Sequence, residues 1–559
     1  MPLRAAAFMM IASLGLLLAA CRPSEPVPAA LPASGVQDPQ ASAVPAPAPA
    51  RHVAAHWFGR QWPKNFLSGF RREHVAEDFA RLRADGFDTV VLLVAWGDFQ
   101  PVFEPCCRYD ERAFERLRFL LDRADEAGLK VMLRLGYGWS FHPEAGDIGE
   151  RQQRVLNQPE VRAAFHAFLQ RVSREVQDRE SVVLAFMSWE DLWLRRVDES
   201  ARADWLAYLA TLPANEARSD ALPDPVQDAR LFHGYWDWLL VERFMKPAAD
   251  LFPALSLEVR VDSDPRFETG PDGQPVVAEW IGHPGMLALP AGQPLTIYWA
   301  PYWGALNQGE RLPAERSLEL LDTMLGQFAQ AGRPMFIDQF NFVDNTPGHD
   351  NNAVIRPEDT AAFLHAAVCT MAAHPVMGYG LWTTRDYAEN PLHNPAFGYG
   401  LEGWTLQRAQ GAADAALEPL ASGDFQLAFA DGDQLRQWVP RRHGRLPRTG
   451  DALQDQVCVQ AEVRTPGVIE VRAGAEPASL AFDATGLQRR CAPIAPAPGE
   501  SELEVLLLAR GGDFALRDVL LFDHVQYGGL YALDGTPAPL LEPVQRMNRD
   551  FADGASRCR

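Results

Sequence analysis

The chain has 559 residues and a mass of 62.0 kDa, which exceeds the usual length of about 100 to 200 residues per domain and excludes a single small domain. Its 47% hydrophobic and 22% charged residues are typical of a folded globular protein and exclude a disordered or fibrous chain. With 73 acidic and 52 basic residues its net charge is -21, which argues against nucleic acid as a partner because phosphate binding needs clustered Lys and Arg.

The N-terminal segment has the pattern of an export signal. One charge, Arg4, precedes an apolar run over residues 5–20, which is typical of a secretory signal peptide and short for a membrane span. The run ends in Leu18-Ala19-Ala20-Cys21, which resembles the lipobox of bacterial lipoproteins. That resemblance implies a signal peptide over residues 1–20 and lipidation of Cys21. An ordinary signal peptide with an incidental cysteine is the alternative.

The segment after the cysteine, residues 21–51, is rich in Pro, Ala and Ser and is expected to be an extended spacer of up to about 3 Å per residue. Arg22 follows the cysteine, where lipoproteins retained in the inner membrane usually have Asp. We therefore expect a lipid anchor in the bacterial cell envelope, in the outer membrane, as the chain's contact with a membrane. Whether the protein faces the periplasm or the cell surface stays open.

The remaining cysteines are interpreted in the light of export, because disulfides persist outside the cytoplasm. Cys458 and Cys491 lie in one β-rich region and are the candidate pair, whereas Cys106 and Cys107 are adjacent in a loop and are expected to bond elsewhere, if at all. The 13 histidines are scattered, with no spacing typical of zinc, so no metal and no cofactor is expected. His142 is expected to be an exposed loop histidine.

From residue 52 onward, short apolar strands alternate with amphipathic helices, such as those predicted over residues 74–84, 113–127 and 161–176. The predicted strands are residues 53–58, 89–96, 130–135, 182–189, 255–261, 295–299, 335–340 and 377–383. This alternation predicts an α/β fold, a (β/α)8 TIM barrel over residues 52–400, with its site at the C-terminal ends of the strands. A doubly wound open sheet is the alternative, but His56-Trp57-Phe58-Gly59 is not the Gly-rich phosphate turn that it would need.

The predicted strand ends combine aromatic residues with acidic or amide residues. Aromatic rings stack on sugar rings, and carboxylates and amides bond hydroxyl groups, so this mixture is typical of a saccharide groove. The alternative is that the aromatics are large core residues. The substrate-binding candidates are Trp96, Asp98, Tyr137, Trp139, Asp191, Asp262, Trp299, Tyr302, Gln339, Asn341, Trp382, Arg385 and Asp386.

Residues 52–400 resemble the clan A retaining (β/α)8 glycoside hydrolases, which include cellulase-like and β-mannanase-like enzymes. The fourth strand ends Phe186-Met187-Ser188-Trp189-Glu190, and the resemblance implies that Glu190 is the catalytic acid/base, although the clan usually has Asn before this Glu. The seventh strand, Pro334-Met335-Phe336-Ile337-Asp338-Gln339-Phe340, resembles the clan's nucleophile strand, but Gln339 stands where the nucleophilic Glu is expected. An amide cannot act as a glycosyl nucleophile.

Asp338 is the candidate for the second catalytic carboxylate, with Asp191, Asp262 and Asp386 as alternatives. Strand residues alternate between faces, so if Gln339 points into the mouth, Asp338 points toward the helices unless a bulge re-aims it. A carboxyl separation of about 5 Å would indicate a retaining mechanism, and a wider one an inverting mechanism.

The fifth strand alternates Glu258, Arg260 and Asp262 with apolar residues, so its charged side chains are expected to face the lumen. Arg134 of the third strand is expected to join them. For Glu258 and Arg134 we favour a buried ion network over substrate contact, and Arg260 and Asp262 stay open.

Residues 401–523 lose the helical pattern, and alternating strands predict an inserted or appended all-β sandwich that resembles carbohydrate-binding modules. The sandwich is expected either to bind sugar or to support the barrel structurally, and the sequence favours neither role. Residues 524–559 carry Gly529-Leu530-Tyr531 and Asp534-Gly535-Thr536-Pro537-Ala538-Pro539, which resemble the final segment of many clan A barrels. They imply a return segment and a terminal helix that packs on the barrel.

The sequence therefore predicts a surface-anchored glycoside hydrolase that cleaves O-glycosidic bonds of a poly- or oligosaccharide. A catalytically degenerate polysaccharide-binding lipoprotein is the alternative, motivated by Gln339. A third hypothesis, an envelope-assembly factor, is disfavoured by the aromatic and acidic strand ends.

Overall fold

The structure is a computed structural model that describes residues 50–60, 66–104, 106–136, 142, 144–188, 197–213, 219–225, 227–258, 264–269, 275–281, 289–290, 292–301, 310–342, 353–412, 416–440, 456–474, 476–494, 502–522 and 525–558. They all belong to one compact unit, Pro49–Arg559. Within these ranges, no helix has the length and apolar character that crossing a membrane requires. The predicted signal peptide, Cys21 and the spacer up to residue 49 lie outside the described residues.

The first part of the unit alternates strands and helices as predicted. Its strands are β1 His52–His56, β2 Thr89–Val94, β3 Lys130–Leu135, β4 Val182–Ser188, β5 Leu255–Glu258, β6 Asp264–Thr269, β7 Pro275–Ile281, β8 Leu295–Trp299, β9 Arg311–Leu312, β10 Met335–Phe340, β11 Val354–Ile355, β12 Val376–Leu381 and β13 Tyr387–Ala388. Eight of them form a closed parallel barrel in the order β1-β12-β10-β8-β5-β4-β3-β2. The predicted TIM barrel is therefore confirmed.

Helices surround this barrel. They are α1 Phe66–Gly69, α2 Arg72–Ala84, α3 Trp96–Phe99, α4 Glu111–Ala127, α5 Ile148–Asn157, α6 Pro159–Val176, α7 Arg202–Leu209, α8 Ala229–Leu239, α9 Lys246–Ala248, α10 Ala314–Ala329, α11 Pro357–Ala372 and α12 Leu541–Ala552, with a π-helical turn at Leu240–Met245 and 3-10 turns at Glu199–Ala201 and Ser556–Cys558. Apolar faces of the helices and strands form one large buried core.

Helix α4 illustrates how local sequence sets these elements. The Asp110 side chain accepts a hydrogen bond from the Arg112 backbone N–H and caps the helix start. The helix ends at Gly128, whose φ of 67° is left-handed and suits glycine. Its buried face includes Phe114, Leu117 and Leu121, and the chain then enters β3 directly.

The second part of the unit is an all-β sandwich of two antiparallel sheets. Its strands are β14 Thr405–Gln407, β15 Leu417–Pro419, β16 Phe425–Ala430, β17 Gln434–Pro440, β18 Gln456–Thr465, β19 Gly467–Arg472, β20 Ala478–Phe482, β21 Gly486–Pro493, β22 Glu502–Arg510 and β23 Asp513–Phe522. The outer sheet has the order β14-β17-β22-β19-β20, and the inner sheet has the order β15-β16-β23-β18-β21. A buried apolar cluster fills the space between them, which confirms the predicted all-β addition.

The inner sheet faces the barrel. The Arg71 guanidinium donates to the carbonyl oxygens of Phe425 at 3.4 Å and Arg517 at 3.0 Å, and the Arg72 backbone N–H donates to Asp424 at 2.8 Å. These contacts join the start of α2 to β16, to β23 and to Asp424, which directly precedes β16. The sandwich and the barrel are thus packed against each other through defined polar contacts.

After the sandwich, the chain returns to the barrel. Strand β24, Val525–Gln526, pairs with β13, and α12 packs against α11 and β1. The Tyr379 hydroxyl of β12 donates to the Asn548 side chain of α12 at 2.5 Å. Before β1, the Arg51 guanidinium donates to the carbonyl oxygen of Phe551 at 2.9 Å.

Three disulfides lie within the described residues. Cys458 and Cys491 are directly opposite each other on β18 and β21, which is the pair that the sequence favoured. Cys369 of α11 bonds Cys558 near the C-terminus. Cys106 and Cys107 bond each other, so the expectation that they bond elsewhere, if at all, is wrong.

Candidate functional site

A group of polar side chains from five strands meets inside the barrel, and we call it the lumen cluster. Its members are His56 of β1, Arg134 of β3, Ser188 of β4, Glu258 of β5, and Asp338 and Gln339 of β10. All six are buried. Each lies at or near the C-terminal end of its strand, which is the end where (β/α)8 barrels carry their active sites.

A β-bulge brings the two β10 residues to the same face. Ile337 pairs with Ile297 of β8, but Gln339 pairs with the very next residue, Tyr298, so Asp338 is the extra residue on β10. The register with β12 also shifts between Ile337 and Phe340. A bulge breaks the strict alternation of side chains. Consequently Asp338 points into the lumen beside Gln339, which is the exception that the sequence analysis had allowed.

His56 holds the bulge. Its Nε2 lies 2.9 Å from the backbone oxygen of Asp338 and 3.1 Å from the Oδ1 of the same residue. Because both partners are acceptors, Nε2 carries the proton and donates. Gly380 of β12 leaves room for this contact, since a Cβ there would lie 2.4 Å from the Asp338 backbone oxygen.

Arg134 links the acidic and amide members of the cluster. Its guanidinium lies 3.1 Å from Glu258 Oε2 and 3.7 Å from Asp338 Oδ2, and its Nε donates to Ser188 Oγ at 2.9 Å. With the Gln339 amide oxygen facing the guanidinium, that oxygen accepts from Arg134 at 2.6 and 3.1 Å. Arg134 and Glu258 therefore form the buried ion network that their positions in the sequence favoured.

The cluster places a carboxylate where barrel enzymes carry out chemistry, but the carboxylate is enclosed. Asp338 has 0% exposed surface and is paired with His56 and Arg134. Within the described residues neither carboxylate oxygen has a hydrogen bond, so the nearby Arg134 guanidinium and His56 imidazole are what offset the cost of burial. Chemically, the arrangement can either supply a carboxylate to a substrate that reaches the strand ends or hold the barrel together.

Several predicted site residues lie outside the described residues, so the structure says nothing of their placement. They are Glu190, Tyr137, Trp139, Asp191, Asp262 and Tyr302, together with Cys21.

Trp382 and Asn341 lie near the lumen cluster. The Trp382 ring is half-buried, with its centroid 5.2 Å from that of His56 and 5.0 Å from that of Phe58. Asn341 is buried directly after β10, where its backbone N–H donates to the Trp299 carbonyl oxygen at 3.1 Å. Trp382 is thus the described candidate with a partly exposed ring close to Asp338.

Trp96 and Trp299 have packing roles in this structure. The Trp299 ring is fully buried and stacks on Phe340 at 5.3 Å and on Phe363 of α11 at 5.2 Å. Trp96 is buried, its Nε1 donates to Gln100 at 2.7 Å, and its ring contacts Phe165 of α6. Neither ring offers an open face to a sugar, which corrects the expectation that each is a stacking platform.

Asp98, Arg385 and Asp386 are also embedded in the protein. Asp98 is buried in α3. Arg385 donates to the Leu533 carbonyl oxygen at 2.9 Å, and Asp386 accepts from the Gly529 backbone N–H at 3.0 Å. Burial raises the pKa of Asp386 and lowers that of Arg385. Both residues therefore secure the return segment to the barrel.

A second polar group, which sequence reasoning missed, lies between the barrel loops and the start of the sandwich. This junction network comprises Asp110, Arg112, His142, His393 and Glu402. His142 Nε2 lies 3.5 Å from Asp110 Oδ2 and 3.6 Å from Glu402 Oε1, and His393 Nε2 lies 3.1 Å from Glu402 Oε1. Arg112 binds both carboxylates. His142 is buried, so the expectation of an exposed loop histidine is wrong.

The network stabilises its charged carboxylates. Burial by itself would raise the pKa of Asp110, but hydrogen bonds from His142 and Arg112 outweigh it and hold the pKa well below its ordinary value. In the same way, burial would raise the pKa of Glu402, and bonds from His393 and Arg112 lower it instead. The signal was hard to find because the residues come from three distant stretches of sequence.

Three members of the junction network are residue types that can bind a metal ion. Ligand atoms of Asp110, His142 and Glu402 lie within 4.8 Å of one another. However, the Glu144 backbone N–H donates to His142 Nδ1 at 3.2 Å, so Nε2 is the protonated nitrogen that faces the carboxylates. Arg112 already provides a positive charge to both carboxylates. We therefore assign these residues to an ion network that joins the barrel to the sandwich.

Comparison with known proteins gives matches among solved structures. No protein-family model and no curated protein sequence matches the chain. Among solved structures it is similar to the exo-β-1,4-mannosidase Op5Man5 of Opitutaceae bacterium strain TAV5, with 16% identity, a TM-score of 0.41, and coverage of 62% of this chain and 54% of that one, or about half its length.

Two further solved structures are similar at the same level. The GH5_18 protein of Bifidobacterium longum subsp. longum has 14% identity, a TM-score of 0.39, and coverage of 61% of this chain and 71% of that one. The endo-1,4-β-mannanase of Rhizomucor miehei has 10% identity, a TM-score of 0.39, and coverage of 60% and 87%.

Proposed function

We propose that the protein is a glycoside hydrolase that cleaves O-glycosidic bonds of a poly- or oligosaccharide at the C-terminal mouth of its barrel. The observation that carries this proposal is the bulge at Asp338, because it turns a carboxylate into the lumen at the end of the seventh barrel strand. Glu190, two residues beyond the end of β4, is the proposed acid/base.

The proposed chemistry needs one carboxyl group to protonate the leaving oxygen and a second to act at the anomeric carbon or to activate water. Glu190 would take the first role and Asp338 the second. His56 and Arg134 support the second role, since a proton donor and a guanidinium stabilise the charged carboxylate. The partly exposed Trp382 ring, near His56, suits stacking on a sugar.

A second candidate function, glycan binding without hydrolysis, has its own support. Gln339 presents an amide to Arg134 where a nucleophilic carboxylate is expected from the resemblance, and Asp338 is fully enclosed. On this hypothesis the lumen cluster is purely structural, and sugars bind above it without bond cleavage.

The decisive experiment measures released reducing ends from a panel of polysaccharides with wild type, Glu190→Gln and Asp338→Asn. Hydrolysis predicts release by wild type and a loss of roughly 100-fold or more in each variant, because general acid–base catalysis contributes at least that much. Glu180→Gln is the matched control, since Glu180 is exposed and precedes the same strand at its other end. Thermal melts of each variant separate lost chemistry from lost folding.

Other results decide against hydrolysis. If wild type releases nothing from any glycan but still binds one, the binding function replaces the proposed one. In that case Gln339→Glu, which would put a carboxylate beside Arg134, tests whether the missing group explains the inactivity.

We also propose that the protein is lipid-anchored through Cys21 in the bacterial cell envelope, at the outer membrane. The support is the sequence Leu18-Ala19-Ala20-Cys21 followed by Arg22. Incorporation of labelled palmitate, lost in Cys21→Ala, together with fractionation of inner and outer membranes, tests this proposal. Recovery of the label in the variant would contradict it.

A further inference from the structure

The outer sheet of the sandwich carries a solvent-facing indole. Trp438 of β17 has 61% exposed surface, the highest among the exposed large hydrophobic residues in the described part of the chain. Its cross-strand partner on β22 is Glu504, and Arg436 lies two residues earlier on the same face. Arg436 Nη1 and Glu504 Oε1 are 3.7 Å apart, so an ion pair lies directly beside the ring.

The rest of this face combines the apolar residues Val468, Ala481, Leu506 and Leu508 with charged side chains that balance one another. The strand registers place three arginines and three glutamates on it, namely Arg436, Arg472, Arg510, Glu470, Glu502 and Glu504. Arg510 also pairs with Glu470 at 3.2 Å. A face with equal numbers of opposite charges offers no net attraction to an acidic polymer or to a cationic one. It instead presents donors and acceptors around one aromatic surface.

The strand that carries the indole is held firmly. On the opposite face of β17, Leu435 and Val439 are buried in the sandwich core. Between them, the Gln437 side chain bonds the backbone of His393 twice, accepting from its N–H at 2.6 Å and donating to its carbonyl oxygen at 3.0 Å. A ring presented by such a strand needs little ordering when a ligand binds, which favours affinity.

The anchor also joins the strand of Trp438 to the mouth side of the barrel. His393 belongs to the junction network, where it meets Glu402 and lies near His142, a residue of the loop that follows β3. Loops that follow barrel strands lie on the face that carries the candidate site. The part of β17 next to Trp438 is therefore joined to that face.

We propose that the outer sheet binds a neutral glycan, with a hexopyranose ring stacked on Trp438 and its hydroxyls bonded by Arg436 and Glu504. This binding site goes beyond the proposed hydrolysis and does not require it. The indole supplies a flat apolar surface that matches the C–H face of a sugar ring, and the ion pair supplies directional hydrogen bonds.

A protein partner fits this face less well. Stable protein interfaces bury about 1,200 to 2,000 Å² around a core depleted in charge. The other exposed large hydrophobic residues in the described part of the chain are Leu206, Leu487 and Tyr527, and none of them belongs to the outer sheet. One indole among six charged side chains matches a ring-sized ligand.

The test uses native gel electrophoresis of the full chain through soluble glucomannan, galactomannan, xyloglucan and mixed-linkage β-glucan, with alginate as an acidic comparison. Glu190→Gln is the background, so that digestion does not mask binding. We expect a neutral glycan to retard the protein. Trp438→Ala should raise the apparent Kd for that glycan about fivefold or more, whereas Trp438→Tyr should keep most of the affinity, because it retains an aromatic ring. Leu487→Ala, which removes a side chain of similar exposure (55%) from the other sheet, should leave the Kd unchanged.

Each remaining outcome overturns the proposal: no retardation by any neutral glycan, equal retardation of Trp438→Ala and its parent, or retardation by alginate alone. The outcome is separable from that of the proposed function, because binding is measured in the Glu190→Gln variant and hydrolysis is measured separately in the wild type. Binding that depends on Trp438 in a protein without activity would sustain this site while removing the hydrolase. If the wild type hydrolyses a glycan but binding is the same with and without Trp438, the hydrolase proposal stands and this binding site is excluded.

Discussion

The His56 Nε2 hydrogen-bonds the backbone oxygen of Asp338 and lies 3.1 Å from its Oδ1, so one ring contacts both the bulged strand and its carboxylate. The two residues are 282 positions apart in sequence and meet because β1 and β10 both flank β12. The candidate site is therefore built on the closure of the barrel.

We predict that His56→Ala destabilises the protein by about 3 to 5 kcal/mol, because it removes the donor to the Asp338 backbone oxygen and the imidazole beside the buried carboxylate. Urea unfolding measures the change. The double variant His56→Ala with Asp338→Leu should recover part of the loss, since it removes the unpaired charge as well. A single variant that unfolds like wild type would mean that the pair contributes little.

Arg134→Met should cost a similar amount, about 3 to 5 kcal/mol, because it leaves Glu258 buried at the end of β5 without its guanidinium. Combining it with Glu258→Leu should restore stability toward that of wild type, since buried ion pairs replaced by apolar residues are often neutral. Denaturant midpoints of the two single variants and the double variant form the cycle. Additive losses in the double variant would contradict the pairing.

Gly380→Ala is expected to destabilise by at least about 2 kcal/mol, because its Cβ would lie 2.4 Å from the Asp338 backbone oxygen and backbone must shift. Gly326→Ala is the matched control. Gly326 lies within α10, where a Cβ would have His374 at 3.8 Å, so this substitution should stabilise by about 0.5 to 1 kcal/mol. Thermal melting of both variants gives the comparison, and equal effects would remove the close approach as the cause.

The junction network should make stability fall in acid. The pKa values of Asp110 and Glu402 are lowered in the folded chain from ordinary values of 3.8 and 4.5. A carboxyl with a lowered pKa stabilises the fold above its ordinary pKa and loses that contribution as pH falls through the folded value. We expect the free energy of unfolding to drop below about pH 4.5 and to drop less steeply in Glu402→Gln. If the free energy of unfolding falls equally steeply with pH in wild type and in Glu402→Gln, Glu402 does not contribute to the loss of stability in acid.

The two long-range disulfides should differ in their contributions. Cys369 and Cys558 close a loop with a sequence separation of 189, against 33 for Cys458 and Cys491. Loop-closure entropy predicts that replacing the first pair by serine costs about 5 kcal/mol and the second about 4 kcal/mol. Unfolding of each double-serine variant measures this order. A larger loss from the shorter loop would show that native-state packing dominates.

The barrel was predictable because its strands are apolar runs between helices of clear period, and β8 and β10 have the bounds that the sequence predicts. The bulge was not, because alternation carries no mark of an extra residue at Asp338. The hairpin of β6 and β7 was missed, although Asp272-Gly273 between them is a turn signal. Trp299 was wrongly predicted to bind substrate, because an aromatic residue at a strand end has the same sequence pattern whether it faces a groove or packs on a helix. Here it packs on α11.

The bond between Arg51 and Phe551 fixes the point at which the chain enters the barrel. It places the entry of the chain and its last long helix together at the edge where β1 begins. Parallel strands all begin at one edge and end at the other. The chain therefore enters the barrel at its base, at the edge opposite the rim near which Asp338 lies.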